Sequence, residues 1–366
     1  MKLTNDKMRT YGLIRLLLPM IIVSCGQPAA FKEGIISEEF IFEEVPFPSC
    51  HASTIAETPE GLVAAWFGGT RERHPDVGIW ISRRVSEKWT KPEEVANGII
   101  NDTLRYPCWN PVLYQIPDGE LLLFYKVGPK PSAWWGMMMK SGDHGKTWDM
   151  PQKLPEGYIG PVKNKPVLLD DGNLICPSST EGDGWKVHFE VTPDFGSTWT
   201  TTGPINDGDI YNAIQPAILK HQNGMLQILC RTRNAVIAVS WSGDNGQTWS
   251  LLQASGLPNN NSGIDAVTLA DGRHLVVYNH VKTPANAGKG YRTPLNVAIS
   301  KDGKNWYAAL VLEDSEISQY SYPSVIQSSD GMVHIVYTWR RERIKHVRID
   351  PHKLKLKKIA DEKWPD

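Results

Sequence analysis

The 366-residue chain has no apolar run of the roughly 18–20 residues that a helix needs to cross a bilayer. It has little charge imbalance: 39 Lys and Arg stand against 40 Asp and Glu, a formal net charge of −1. That excludes a strongly basic chain built to coat nucleic acid. Cysteine is sparse, at five, and none of the five shows CxxC spacing, so no zinc site is expected. No Gly-rich nucleotide loop and no cluster of metal ligands stands out, so no cofactor or metal is called for. What the chain does have is 31 Gly, 26 Pro and 14 Trp. A chain so rich in turn formers and aromatic slabs argues against a helical bundle, and its 41 % apolar content is enough for a large core.

The first 24 residues read as an export signal. Lys2, Lys7, Arg9 and Arg15 form a basic n-region, and Leu16 to Val23 a short apolar h-region. Ile22-Val23-Ser24-Cys25-Gly26 resembles a bacterial lipobox, which implies a lipid-modified Cys25, a tether over 25–37, and a periplasmic or outer-membrane location. Removing residues 1–24 leaves 35 basic against 39 acidic residues, net −4, which suits neither nucleic acid nor an anionic membrane. The remaining cysteines, Cys50, Cys108, Cys176 and Cys230, each lie in apolar strand-like runs and read as buried thiols; a Cys50–Cys108 bridge is the alternative in an oxidising compartment.

Self-comparison accounts for the length. An apolar run, a turn of Asp-Gly type and a second apolar run recur six times, with the turn glycines at Gly61, Gly119, Gly172, Gly224, Gly272 and Gly331. Such turns between alternating apolar runs mark hairpins. A second phrase follows most of them. Full copies run Ser141 to Trp148, Thr192 to Trp199 and Ser242 to Trp249; a shortened one runs Ser300 to Trp306, and Ser86 to Trp89 is a worn remnant. The phrase resembles the Asp-box, a hairpin plug in which Asp and Thr satisfy turn amides while Trp packs beneath. A repeat of about 50 residues holding four strands is a propeller blade. We therefore expect an all-β, six-bladed β-propeller of four-stranded antiparallel blades over residues 38–366. The run Phe40 to Val45 is expected to supply the last blade's missing outer strand. Asp143, Asp194 and Asp244 are expected to be structural.

In a propeller the first strand of each blade lines the axis, and ligands bind at one end of it. The residues opening those strands are His51, Asn110, Asn164, Gln215, Asp265 and Tyr322. Second strands end on the same rim, offering Arg231 and Arg233, Asn279 and His280, and Arg340 and Arg341.

An Asp-box propeller with this phrasing resembles the sialidase (neuraminidase) superfamily over residues 45–345. The resemblance implies a carboxylate-binding arginine triad, an Asp general acid, and a Tyr nucleophile activated by a Glu. Counting from the turns, Arg231 (with Arg233 adjacent) matches one arginine and Tyr322 the nucleophile; Arg292 matches another by its place a strand before the fifth blade's box, and Asp76 the acid by its loop ahead of Ser82-Arg83-Arg84, with Glu72 in reserve. His51 stands where the first arginine belongs, and Gln215 where the Glu belongs. A phenol with an unperturbed pKa near 10 needs a base, which an amide cannot be; an imidazole can. The resemblance implies an exported, monomeric exo-glycosidase that removes a terminal acidic sugar from a glycan. Two alternatives stay open. One is the same propeller acting on uronic-acid glycans, with His51 and Tyr322 as base and acid of a β-elimination. The other is an inactive glycan-binding lipoprotein. Each site residue also has a structural alternative: surface charge for Arg231 and Arg292, packing for Tyr322 and His51, a turn cap for Asp76. Trp109, Trp134, Trp135, Trp185 and Trp339 serve either as sugar platforms or as blade packing.

Overall fold

Six antiparallel sheets of four or five strands follow one another along the chain, each entered by a strand that runs toward one of the six turn glycines. The computed structural model describes residues 31–316 and 318–366, so the segment read as an export signal, and Cys25, lie outside the described residues. The second blade is typical: Cys108–Gln115, Leu121–Val127, Trp135–Ser141 and Gln152–Lys153, in that order from the axis outward. Second strands are buried along nearly their whole length. Leu121–Val127 is buried at every position, the pattern of a strand covered on both faces. Beyond one short 3₁₀ turn at Pro131–Ala133, the described residues form strands, turns and loops. The chain is thus an all-β, six-bladed propeller.

Turn chemistry follows the sequence pattern with one variation. Gly172, Gly224, Gly272 and Gly331 take φ between 82° and 86°, the left-handed region that a side chain disfavours. In the second blade Asp118, at φ 53°, takes that role instead of Gly119. The Asp-boxes are closed plugs. Asp143 Oδ1 accepts from Ser141 Oγ (2.8 Å) and the Lys146 and Thr147 amides, and Oδ2 from Thr147 Oγ1 (2.6 Å). Asp194 and Asp244 repeat the pattern with Thr198 and Thr248. All four cysteines from Cys50 onward are buried free thiols.

An N-terminal strand does close the last blade, but five residues earlier than expected. Ile35–Phe40, not Phe40 to Val45, pairs with Arg343–Ile349. The reason is apolar content. Ile41, Phe42 and Phe47 are withdrawn into a core between the first and last blades, against Trp66, Val336 and Ile344. The alternating Ile35–Phe40 suits an edge strand with one face in water. The fold therefore begins before residue 38, and Phe31 packs against Trp364. The chain's last strand, Lys357–Lys358, adds a fifth strand to the fifth blade.

The closing strand is fastened at Glu39. Its Oε1 accepts from His346 Nδ1 (2.9 Å), Arg84 Nε (3.0 Å) and Trp89 Nε1 (3.1 Å), which ties the last blade to the first. The His346 hydrogen bond and the Arg84 charge outweigh partial burial and hold the carboxyl down at about 2. A depressed carboxyl stabilises the fold fully above its unfolded value near 4.3, and that contribution is lost as pH falls toward 2. Glu39→Gln should lower stability at pH 7 by about 1–2 kcal/mol, because a charged acceptor of three donors is replaced by a neutral one. The variant should also show a shallower loss of stability between pH 4.5 and pH 2. Thermal unfolding across pH checks this; a variant curve parallel to the wild type would contradict it.

Candidate functional site

The centre of the rim is built by a repeated backbone irregularity. Ala52, Asn110, Gln215 and Tyr322 all have positive φ (55°, 34°, 55° and 53°), and each lies nine residues before its turn glycine. Strand register shifts at each of these places, so each is a β-bulge in a first strand. Pro111, Pro216 and Pro323 follow three of them, where a missing N–H costs no ladder bond. The same count lands on Lys163 in the third blade and Gly263 in the fifth. The registered ring is therefore Ala52, Asn110, Lys163, Gln215, Gly263 and Tyr322. His51, Asn164 and Asp265, which the sequence pattern singled out, sit one or two residues off it.

Bonds between blades lock this ring. Lys163 Nζ donates to Asn164 Oδ1 (2.9 Å), to the Ile264 carbonyl (2.8 Å) and to the Pro323 carbonyl (2.6 Å). It also lies 5.9 Å from the Tyr322 ring. Burial pushes this ammonium down to about 7. Asn164 Nδ2 donates to the Gln215 carbonyl (2.9 Å). Asp265 is almost fully buried; it pairs with Lys165 and accepts from the Val325 amide (2.8 Å), so it braces the fifth and sixth blades.

Tyr322 occupies the middle of a group of cations. Arg231 Nη1 donates to its hydroxyl at 2.6 Å and to Gln215 Oε1 at 3.3 Å, while Arg231 Nε donates to Asn261 Oδ1 at 3.0 Å. The Arg231 and Arg292 guanidinium carbons lie 5.7 and 5.4 Å from the Tyr322 ring centroid. Arg292 Nη1 also donates to Ser321 Oγ (3.3 Å). Trp185, buried, carries Arg231 (5.0 Å) and Arg233 (4.1 Å) on its ring. None of Lys163, Arg231, Arg233 and Arg292 makes an ion pair among the described residues. Unpaired cations around a buried centre leave it positive and fit to receive an anion.

His51 is brought to Tyr322 but not into a hydrogen bond with its hydroxyl. The rings are 4.1 Å apart between centroids. His51 Nδ1 bonds Thr338 Oγ1 at 2.9 Å, and its Nε2 is buried without a partner among the described residues. Burial first, then the charges of Arg341, Arg292, Arg231 and Lys163, hold this imidazole well below its ordinary value. The ring is therefore neutral at physiological pH.

Three carboxylates stand near the rim. Asp76 Oδ1 accepts from the Thr70 amide (3.0 Å) and pairs with His74 (2.7 Å), and Oδ2 accepts from Thr70 Oγ1 (2.6 Å). Although partial burial raises it, those hydrogen bonds hold its pKa below the ordinary value. Glu72 is paired with Arg341 at 2.7 Å. Glu181 follows the third blade's second strand, Leu174–Thr180, and was not marked by the sequence pattern. Its burial outweighs the charges of Arg231 and Arg233 and raises its pKa. The one signal for Glu181 was its place one residue beyond a second strand, where Arg233 stands in the next blade. Among the tryptophans, Trp109 is blade packing, with Nε1 on the Gly128 carbonyl (2.8 Å). Asn110, on the ring, is buried beside it.

A sequence profile described as a BNR repeat-like domain matches residues 60–335. The chain belongs to this family. No curated protein matches it. Solved structures share the fold of this BNR repeat-like domain. A protein of unknown function from Dyadobacter fermentans aligns with TM-score 0.71 at 16 % identity, over 88 % of this chain and 99 % of that one. The NanB sialidase from Streptococcus pneumoniae aligns with TM-score 0.67 at 14 % identity, over 87 % and 71 %. The intramolecular trans-sialidase from Ruminococcus gnavus, in complex with oseltamivir carboxylate, aligns with TM-score 0.66 at 14 % identity, over 90 % and 100 %.

The neutral state of His51 can be measured directly. Imidazole nitrogen shifts should show His51 neutral at pH 6.5, where an ordinary histidine is half protonated. A titration midpoint near 6.5 for this residue would contradict the burial described above.

Proposed function

We propose that this BNR repeat-like domain is an exo-acting glycosidase that removes a terminal acidic sugar from glycans. The observation that carries this reading is the convergence of Arg231 and Arg292 on Tyr322 with no carboxylate paired to either. Guanidinium forks match a sugar carboxylate bidentately. That anchors the sugar with its ring over the Tyr322 hydroxyl, which attacks or stabilises the oxocarbenium-like centre, as in the sialidase exception among glycosidases. The fold shared with two sialidases, at low identity, supports the reading.

Departure of the aglycone needs a proton donor. The sialidase resemblance gives that role to Asp76, yet Asp76 is held ionised by Thr70 and His74. Glu181 retains its proton more readily and lies within the field of Arg231 and Arg233. We propose Glu181 as the donor, within reach of the Arg231 and Arg233 charges, with Asp76, the residue the resemblance gives, as the alternative. With Gln215 in place of a carboxylate, the proton acceptor in contact with the Tyr322 ring is His51, a weak base here because burial and the surrounding cations hold its pKa down. The same neutral His51 favours a second reading, β-elimination on a uronate, in which His51 takes the carbon-bound proton.

We further propose that the protein is exported and held on a membrane through lipidated Cys25. Cys25→Ser should move it from the membrane fraction to the soluble one; equal partitioning of both forms would count against the anchor.

A chromogenic sialoside tests the activity. The wild type should release the chromophore, Tyr322→Phe and Glu181→Gln should each lose about 10²-fold or more in kcat, and Asp76→Asn should lose less than Glu181→Gln. Arg231→Lys, which keeps the charge but not the fork, should lose mainly in KM. Full activity in Tyr322→Phe would remove the assignment. Silence on sialosides with ultraviolet-absorbing unsaturated products from uronate glycans would favour the second reading.

A further inference from the structure

Next to the central site lies a cleft of about 550 Å³, lined by Lys289, Tyr291, Arg292, Ser318, Gln319 and Arg340 among others. Arg292 belongs to both: its side chain reaches Tyr322 and Ser321, and its amide is held by Ser318 Oγ at 2.9 Å. No carboxylate lines the cleft, and Lys289, Arg292 and Arg340 make no ion pair among the described residues. Tyr291 is 72 % exposed, a large aromatic face left in solvent at the mouth.

The backbone at Arg340 gives an independent indication. The turn between Val333–Trp339 and Arg343–Ile349 places Arg340 and Arg341 at φ 54° and 65°, consecutive left-handed residues. Asn-Gly fills such a turn at little cost, whereas two long side chains strain it. Arg341 is spent on Glu72, but Arg340 is not spent on a carboxylate. It stacks on Trp339 at 4.3 Å, and its Nε is buried without a partner among the described residues. Strain retained at a residue whose charge is otherwise unused points to a ligand.

We propose that this cleft is a second subsite that binds an anionic sugar unit adjacent to the terminal one, with Arg340 and Lys289 taking its carboxylate or sulfate and Tyr291 its ring face. This rests on the acidic-sugar reading of the central site and extends it: the preferred substrate is at least a diacid.

Calorimetry on full-length Tyr322→Phe, which should bind without turnover, tests the subsite with two probes that share a terminal sugar: α2,8-linked disialic acid and 3′-sialyllactose. Disialic acid should bind about tenfold or more tightly at low salt, with the advantage shrinking as salt rises. Lys289→Ala, Tyr291→Ala and Arg340→Asn, the last chosen because Asn tolerates the left-handed turn, should each erode the preference and leave 3′-sialyllactose affinity unchanged. Equal affinity for both probes, or a preference that survives all three substitutions, would overturn the subsite and leave the central site standing. If neither probe binds, the central reading and the subsite fall together.

Discussion

The hydrogen bond from Arg231 Nη1 to the Tyr322 hydroxyl spans the axis between the fourth and sixth blades, and the chemistry of the rim depends on it. A charged donor on a buried hydroxyl contributes about 1.5–3 kcal/mol. Its larger consequence is positional. It holds the phenol where Arg292 and Lys163 also face it, and it fixes one guanidinium edge while Trp185 supports the face. That arrangement exists because the first strands bulge at a common position. The bulge turns Gln215 and Tyr322 to the axis, and Pro216 and Pro323 make it inexpensive.

Charge then decides what the centre can do. Arg231 and Arg292, neither in an ion pair among the described residues, face one phenol beside one neutral imidazole, while Glu72 and Glu181 stand at the rim. A neutral ligand would leave those charges uncompensated. On the proposed reading an acid sugar pairs with them, and a diacid also meets Arg340 and Lys289. His51 is kept neutral by the same burial and charge that leave the site positive, so on the proposed reading one electrostatic environment sets both binding and proton transfer.

Much of this was legible in the sequence because propeller blades are local units. The turn glycines gave six blades, and the Asp-boxes named their own hydrogen bonds. Counting from the turns placed Gln215, Arg231 and Tyr322, the fifth blade's Asp-box placed Arg292, and the structure brings all four together. The counting failed where position depends on contacts between blades. Lys163 owes its role to carbonyls 101 and 160 residues away, which no local pattern encodes. Glu181 owes its raised pKa to burial, and the same residue type on an open rim would be unremarked. The closing strand shifted because the more apolar run, Ile41 to Phe47, was worth more in the core than at an edge.

The claim on which the rest depends is that this centre recognises a sugar carboxylate through Arg231 and Arg292. Calorimetric titration of the Tyr322→Phe protein with 3′-sialyllactose and with its carboxylate methyl ester measures that directly, since the ester removes the charge and adds only a methyl group. The free acid should bind at least about 10²-fold more tightly, the roughly 3 kcal/mol expected of a desolvated guanidinium–carboxylate pair. Equal affinity for acid and ester would contradict the account.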